Sequence, residues 1–420
     1  MRKYAFWLSL VLIFMMPWEG VFRLPGLGTA TKLAGFGVAA FWLATVVITN
    51  QIRKPTPFHM MVGLFVLWNA LSVFWSGNIN RTVSQLTTWA QLLLLVFILW
   101  DLYTTKTALL AGLQAYVLGA YVAVGSAIAN YSAGNSFYTN YERFSAGDTN
   151  PDGFGFLVAL GIPVAWYLAG SRLKTQWSAL LKFVNYAYIP AALFGLSLSG
   201  TRTALIATAV SMVFGLASLT RIRPWIRVVF ILPFLILAIL LMLPHVQTLK
   251  SFERFGTIST ELAEGDLNER LILWGDGYSS FLEHPLLGVG SNMYRKVNSL
   301  GKVAHNSYLS VLVEVGLVGF ALFGIILTMA VIQAWRHRRW DAAFWLTILL
   351  VWAIGASSLT WEARKTTWLF LSLITVSSAL THRRGVAVPL VKRNDSDAQV
   401  VPHTEPGNLL PGGKEKPYFV

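Results

Sequence analysis

The stretch SYLSVLVEVGLVGFALFGIILTMAVIQA occupies residues 307–334 and contains one ionisable side chain, Glu314. About 20 apolar residues are enough to cross a hydrocarbon core of about 30 Å as a helix. Because the bilayer interior offers no water to backbone polar groups, only a helix can satisfy them within one continuous stretch. The stretch therefore predicts a membrane-spanning helix.

Apolar runs of similar length recur along the chain. They lie near residues 4–22, 32–50, 58–76, 83–102, 108–130, 153–170, 183–198, 202–219, 225–243, 307–334, 341–360 and 366–382. Strands of a membrane barrel are about half as long and alternate in polarity, so these runs predict an all-α polytopic membrane protein with about twelve transmembrane helices. No small-residue cleavage site follows the first run, which we expect to be a retained helix rather than a signal peptide.

The composition agrees with this class. Of the 420 residues, 55% are apolar and only 12% are charged, whereas about a quarter of the residues in a soluble domain are charged. This excludes an ordinary soluble enzyme. The chain has no cysteine, which excludes disulfides, thiolate nucleophiles and cysteine-ligated metal sites. The net charge of +14 does not by itself indicate a nucleic-acid partner, because the placement of cations is more informative in a membrane protein.

The distribution of lysine and arginine predicts the orientation of the chain. With a cytoplasmic N-terminus, the cytoplasmic set is Arg53, Lys54, Lys106, Arg172, Lys174, Lys182, Arg221, Arg223, Arg227, Arg336, Arg338, Arg339, Arg383, Arg384, Lys392 and Arg393. The short outer loops hold a smaller set: Arg23, Lys32, Arg81, Arg143, Arg202, Arg364 and Lys365. Because cytoplasmic loops carry the excess of positive charge, both termini are expected in the cytoplasm.

Two outer segments, 131–152 and 245–304, are longer than simple connectors, and long loops usually carry function. Within the second, residues 269–283 have the apolar spacing of a helix lying on the membrane surface. Beyond residue 382 the chain becomes polar and rich in proline and glycine. We therefore expect a transmembrane domain over 1–382, including the loop 245–304, and a disordered cytoplasmic tail over 383–420.

Ionisable groups that suit an anionic ligand collect near the outer helix ends. Arg202 opens the eighth span and His305 opens the tenth, so both lie at helix N-termini, which attract anions. Arg270 and Arg143 from the two long loops are candidates to complete the cluster, since guanidinium groups match phosphate oxygens. The alternative is structural, because arginine at a helix end often extends to the interface and a lone histidine is often simply hydrogen-bonded.

Other features of the sequence leave alternatives open. Glu314 is either a proton relay or a carboxylate paired with a polar neighbour. Gly316, Gly319 and Gly324 are expected to mark close helix packing. The outer histidines show no metal-ligand spacing, and no phosphate-binding loop or nucleophile elbow is present, so we predict chemistry without a metal or other cofactor.

Three motifs together resemble a known family. They are His305-Asn306 followed after nine residues by Gly316-Leu317-Val318-Gly319, Arg270-Leu271-Ile272-Leu273-Trp274 running on to His284-Pro285-Leu286-Leu287-Gly288-Val289-Gly290, and Ser197-Leu198-Ser199-Gly200-Thr201-Arg202-Thr203. The first two follow the patterns of the bacterial O-antigen ligases and the related O-antigen and exopolysaccharide polymerases. The third departs from the family's turn because Gly200 and Thr201 precede the arginine. Arg143 and the stretch 150–152 give a softer match.

The resemblance implies a GT-C-like glycosyltransferase of lipopolysaccharide biosynthesis in the bacterial inner membrane. It would transfer a glycan from undecaprenyl diphosphate to a sugar hydroxyl of lipid A core oligosaccharide at the periplasmic face. A sugar hydroxyl is a poor nucleophile, so His305 is expected to act as its base, and Arg202 and Arg270 are expected to bind the diphosphate. The further substrate-binding candidates are Arg143, Asn306, Trp274 and Tyr308. We expect a metal-independent reaction that inverts the anomeric carbon.

Three alternatives remain at this stage. A polymerase would share the motifs and differ in its acceptor, which would be another carrier-linked repeat unit. A lipid-linked glycan flippase or exporter would place cations at mid-membrane depth, whereas the spans here are almost free of lysine and arginine. A non-catalytic scaffold would give no reason for a histidine beside clustered arginines.

Overall fold

The computed structural model of the protein describes residues 1–24, 28–138, 142–171, 177–221, 224–247 and 269–385. Several predictions fall outside these ranges: those for Arg172, Lys174 and Arg223, for loop residues 248–268, and for the tail from residue 386 onward. The all-α class is confirmed. Within the described ranges the strands are the antiparallel pair β1 (Arg23–Leu24) and β2 (Gly28–Thr29).

Thirteen helices make up the described part of the fold. They are α1 (Arg2–Met15), α2 (Ala30–Thr49), α3 (Pro57–Leu71), α4 (Ile79–Leu102), α5 (Lys106–Ser132), α6 (Pro151–Ala169), α7 (Ser178–Ser199), α8 (Arg202–Leu219), α9 (Leu232–Gln247), α10 (Arg270–Glu283), α11 (Ser307–Trp335), α12 (Arg339–Ala356) and α13 (Lys365–Gly385). Short turns of helix also occur at Met16–Trp18, Ser72–Phe74, Pro224–Ile226, Arg227–Ile231, which is π-helical, and Tyr294–Lys296.

In the described part of the chain, nine helices are long and apolar enough to cross a membrane: α2 to α8, α11 and α12. The other three predicted spans fall on α1, α9 and α13, which are shorter or carry charged residues at their ends. The predicted number of twelve spans is therefore not confirmed. The predicted helix in the second long loop is present as α10, one residue shorter at its start.

Helix α6 lies at the centre of the bundle. Every residue from Phe154 to Ala169 is buried, and the helix packs mainly on α7, α8 and α5. Glycines allow this close packing, because an added Cβ on Gly161 would meet the Tyr188 hydroxyl of α7 at 2.3 Å. Small residues at helix contacts are the usual means of bringing helices together in membranes. The start of α6 is therefore fixed relative to its neighbours.

Helix α11, which the hydropathy predicts as continuous, is broken at Gly316. This residue has φ +66°, a left-handed conformation that favours glycine, and the turn segment 285–290 lies in the gap. There the Gly290 N–H donates to the Glu314 carbonyl at 2.8 Å, and the Leu317 N–H donates to the Pro285 carbonyl at 2.9 Å. The backbone groups freed by the break are thus satisfied by the loop.

This break corrects the expectation for the three glycines of α11. Gly316 allows a backbone approach, since an added Cβ would lie 2.2 Å from the Leu286 carbonyl oxygen. Gly319 does pack closely, with Trp68 of α3 at 3.0 Å from such a Cβ. Gly324 faces open space, so the expectation of close packing was wrong there.

Candidate active site

Arg143 joins the first long loop to the starts of α6 and α8. Its side chain is only 5% exposed, and its Nε donates to the Ser199 carbonyl at 2.6 Å. Its terminal nitrogen lies 2.5 Å from Asp152 Oδ1 and 3.2 Å from Thr201 Oγ1. A buried guanidinium needs partners of this kind to offset the loss of water. Arg143 thus connects three elements at one end of the bundle.

The turn between α7 and α8 places Arg202. Gly200 ends α7 with φ +57°, the left-handed conformation common at helix C-termini, and Thr201 is the N-cap residue of α8. The Thr201 hydroxyl donates to the Pro151 carbonyl at 3.0 Å, which ties the turn to the start of α6. Arg202 therefore begins α8 as a half-buried residue, as the sequence predicted.

The segment that carries His305 is held from two sides. On one side Trp274 of α10 donates its indole N–H to the Ala304 carbonyl at 2.9 Å. On the other side the His305 backbone N–H donates to Thr360 Oγ1 at 3.1 Å, in the connection between α12 and α13. His305 itself has φ +48°, an unusual conformation for a residue with a side chain. The backbone of this segment is therefore fixed before the helix begins.

The start of α11 is capped by Asn306. The side-chain oxygen of Asn306 accepts hydrogen bonds from the backbone N–H groups of Tyr308 at 3.0 Å and Leu309 at 3.1 Å. The Ser307 hydroxyl donates to the Leu359 carbonyl at 2.8 Å and accepts from the Trp361 N–H at 2.7 Å. Tyr308 is half-buried, with its ring edge toward Trp352. Asn306 and Trp274 thus hold the histidine segment in place.

The His305 imidazole is half-buried and lies among charged groups. Burial lowers its pKa, the positive charge of Arg270 lowers it further, and the Asp152 carboxylate opposes both. The charges of Lys302 and Arg295 have smaller effects and also lower this pKa. A lowered pKa keeps the imidazole neutral near pH 7, which is the form that can accept a proton.

Arg270 connects the histidine to Arg202. Burial lowers the pKa of Arg270, the Asp152 carboxylate raises it, and the Arg202 guanidinium lowers it. Arginine remains charged in proteins. The groups whose charges act on one another are thus the two guanidinium groups, the Asp152 carboxylate and the His305 imidazole, and we call them the cluster. Helices α6, α8 and α10 and the start of α11 supply its members. The charge of Arg270 acts on His305 and the charge of Arg202 acts on Arg270, while Arg143 is bonded to Asp152 inside the protein.

Asp152 is a member of this cluster that sequence reasoning missed. It lies in the first turn of α6, where its own N–H donates to the Asn150 side chain at 2.8 Å. Its side chain is 29% exposed and acts on both His305 and Arg270. An acidic residue after Asn150-Pro151 signals a helix start, but nothing in the sequence indicates which cations it would meet.

Two acidic residues, Glu314 and Glu362, accept hydrogen bonds near the first turns of α11. The Glu314 carboxylate accepts from the backbone N–H groups of Asn292 at 2.7 Å and Tyr294 at 3.2 Å, which favours the paired-carboxylate alternative for this residue. Glu362 was not singled out from the sequence. It is buried in the connection between α12 and α13 and accepts from the Ser310 hydroxyl at 2.9 Å. Burial raises the pKa of Glu362 to about 6.

No three histidine or acidic side chains in the part of the chain that the structure describes form a group that could hold a metal ion. Metal independence stays a prediction. In comparisons with known proteins, residues 187–324 match the family model described as O-Antigen ligase. No curated protein matches the chain.

The match runs from α7 to the middle of α11 and includes Arg202, Arg270 and His305, whereas Arg143 and Asp152 lie before it. It confirms the resemblance drawn from the three motifs. The match supports a relationship of residues 187–324 to the O-antigen ligase and polymerase family, and the nine long apolar helices of the described part are those of a multi-pass membrane protein.

Proposed function

We propose that the protein is an O-antigen ligase that transfers a glycan from undecaprenyl diphosphate to a sugar hydroxyl of lipid A core oligosaccharide. The observation that carries the proposal is the placement of three half-buried residues at helix starts: Arg202 begins α8, Arg270 begins α10 and His305 lies just before α11. The charge of Arg270 acts on His305, and the charge of Arg202 acts on Arg270. The family match supports a lipid-linked glycan as donor and a glycan as acceptor. The same sites suit a polymerase, which would use a second carrier-linked glycan as acceptor.

The roles follow from the chemistry of the bond that is exchanged. His305 takes the proton of the acceptor hydroxyl while the oxygen forms a bond to the anomeric carbon. The bond from that carbon to the carrier oxygen breaks, and the diphosphate leaves with the electron pair. The leaving group is a stable anion and needs positive charge rather than an acid, which Arg202 and Arg270 supply. Attack opposite the leaving group inverts the anomeric carbon, and no metal is required.

We assign the remaining residues to supporting roles. Arg143 positions the turn before Arg202, because its bonds go to Ser199, Asp152 and Thr201. Trp274 and Asn306 position the segment around His305, and Tyr308 lies next to it at the start of α11. The site would face the periplasm from the inner membrane, with both termini in the cytoplasm, as the distribution of lysine and arginine indicates.

The test is transfer by purified protein in lipid nanodiscs, supplied with carrier-linked glycan and core oligosaccharide. His305→Ala is expected to abolish transfer while the protein still inserts and folds. The matched control is His284→Ala, at an exposed histidine of the same outer segment, which should keep wild-type activity. Transfer by His305→Ala at the wild-type rate would refute its role as base.

The same assay tests the arginines and the stereochemistry. Arg202→Lys and Arg270→Lys are expected to raise the donor KM, because a lysine cannot bind a phosphate through two parallel hydrogen bonds. An unchanged donor KM in both variants would contradict the proposal that Arg202 and Arg270 bind the diphosphate. Retention of configuration in the product, read by NMR, would exclude a single displacement. Product made only from two carrier-linked glycans would identify a polymerase.

A further inference from the structure

A cavity with polar side chains in its lining lies near the segment that carries His305. It has a volume of about 510 Å³ and lies between the start of α4 and the segment that precedes α11. Its lining residues are Asn80, Arg81, Ser84, Asn292, Arg295 and Val303. Small-molecule sites in proteins usually have volumes of about 300–1,000 Å³, so the cavity is large enough for a sugar ligand.

The lining of this cavity is basic. Arg81 is half-buried and Arg295 is exposed, and none of the described residues that line the cavity is acidic. Neither guanidinium pairs with a carboxylate among the residues that the structure describes. Two arginines without such a partner attract an anion, and each can bind a phosphate or carboxylate through two hydrogen bonds. The amides of Asn80 and Asn292 and the Ser84 hydroxyl suit the hydroxyls of a sugar.

The walls of the cavity are held together before any ligand binds. The Thr82 hydroxyl donates to the Ser291 carbonyl at 2.9 Å, which joins α4 to the other wall next to Arg81 and Asn292. Asn292 has φ +64°, and its N–H donates to the Glu314 carboxylate at 2.7 Å. A preformed site avoids part of the entropy cost of binding. The half-buried Glu314 thus supports the cavity wall.

The cavity also borders the proposed base. Val303 in its lining precedes His305 by two residues. Burial is the main cause of the lowered His305 pKa, and the charge of Arg295 contributes to it as well. The lining thus includes one residue close to His305 in the chain and one cation whose charge acts on it.

We propose that this cavity is the acceptor site and that it selects an acidic oligosaccharide. Arg81 and Arg295 bind a phosphate or carboxylate of the acceptor, while Arg202 and Arg270 bind the diphosphate of the donor. The assignment rests on the proposed transfer reaction and adds to it the charge of the acceptor. It also separates the basic residues of this end of the bundle into two sets with different ligands.

The experiment compares Arg81→Gln and Arg295→Gln with the wild type in the transfer assay. Each variant is expected to raise the acceptor KM about tenfold or more, as for the loss of one charge-assisted hydrogen bond, and to leave the donor KM unchanged. The control is Lys296→Gln, which removes a neighbouring exposed cation that lines a separate cavity. Core oligosaccharide stripped of its phosphates should show the same raised KM with the wild type.

Binding distinguishes a failure of this inference from a failure of the proposed function. Titration calorimetry with phosphorylated and dephosphorylated core oligosaccharide measures acceptor binding to His305→Ala without turnover, with and without Arg295→Gln. Tighter binding of the phosphorylated form, lost in Arg295→Gln, supports the inference even if no transfer is seen. Equal binding of the two forms, or a raised donor KM in both arginine variants, overturns it. Absence of transfer by the wild type with intact acceptor binding would count against the proposed function alone.

Discussion

Two helix starts at the same end of the bundle hold a basic side chain in contrasting ways. At the start of α8, Arg143 is almost fully buried and directs its nitrogens to Ser199, Asp152 and Thr201. At the start of α11, the backbone around His305 is fixed by Thr360 and Trp274, while the imidazole makes no hydrogen bond to any described residue. The first arrangement uses charge to hold the fold, and the second keeps a polar group available for a ligand.

This difference separates structural from reactive residues more clearly than residue type does. Arg143 and Arg270 are both arginines in long loops, and the sequence offers the same phosphate-binding hypothesis for each. In the structure, Arg143 has its partners within the protein, whereas Arg270 is half-buried next to His305 and Arg202. Binding sites commonly combine a rigid backbone with side chains held ready for the ligand.

The largest expected effect is on the stability of the Arg143 region. Arg143→Ala should lower the free energy of unfolding by about 3 kcal/mol, the lower end for a broken buried pair because Asp152 is partly exposed. His305→Ala should leave the melting temperature nearly unchanged and remove activity. Thermal unfolding of both variants in detergent, monitored by circular dichroism, makes the comparison. A stable Arg143→Ala protein that cannot bind donor would place Arg143 among the ligand-binding residues instead.

A smaller effect is expected at Glu362, which lies behind the His305 segment. Burial raises its pKa from 4.5 to about 6, so the folded protein binds more protons than the unfolded chain between these values. Stability contributed by the protonated carboxyl is therefore present below about pH 4.5 and lost as the pH rises through 6. Glu362→Gln should remove this dependence and stabilise the protein at pH 8 by up to about 2 kcal/mol.

Melting temperatures at pH 5 and pH 8 test this prediction. The control is Glu283→Gln, at an exposed acidic residue at the end of α10, which should behave like the wild type at both pH values. A Glu362→Gln protein that is less stable than the wild type at pH 8 would show that the ionised carboxylate stabilises the fold. Glu362 would then resemble Arg143 as a residue whose charged side chain stabilises the fold.

Much of the fold follows from hydropathy, because a span must be apolar along its whole length. The break in α11 does not, since Gly316 lies in a run whose average hydropathy hides the segment 285–290 that fills the gap. The motif around Gly288 and Gly290 identified the family, but its physical role became clear only from the backbone pairing. Periodicity describes one segment at a time and contains no information on which segments meet.

The same limit applies to the candidate site. His305, Arg270 and Arg202 could be identified from motifs and helix starts, since each has a local signal in the sequence. The burial of Arg143 and the membership of Asp152 depend on contacts between α6, α7 and the first long loop. A charged residue whose hydrogen-bond partners lie far away in the chain has the same local sequence signal as a charged residue that binds a ligand.

The smallest expected effect concerns the pH dependence of transfer. Burial is the main cause of the lowered His305 pKa, and the exposed Lys302 contributes through its positive charge. Lys302→Gln removes that charge, so the pKa of His305 should rise. Because the neutral imidazole is the active form in the proposed mechanism, the acid limb of kcat/KM should move to higher pH. The shift should shrink at high salt, since exposed charges are screened.

Lys296→Gln is again the matched control, because Lys296 is not among the charges that act on His305. A shift of the acid limb with Lys302→Gln alone would connect the acid limb to His305. An acid limb that stays in place, or moves to lower pH, would show that another group sets it. The base would then have to be sought among residues whose charge environment differs from that of His305, since the sign of the Lys302 effect is fixed by Coulomb's law.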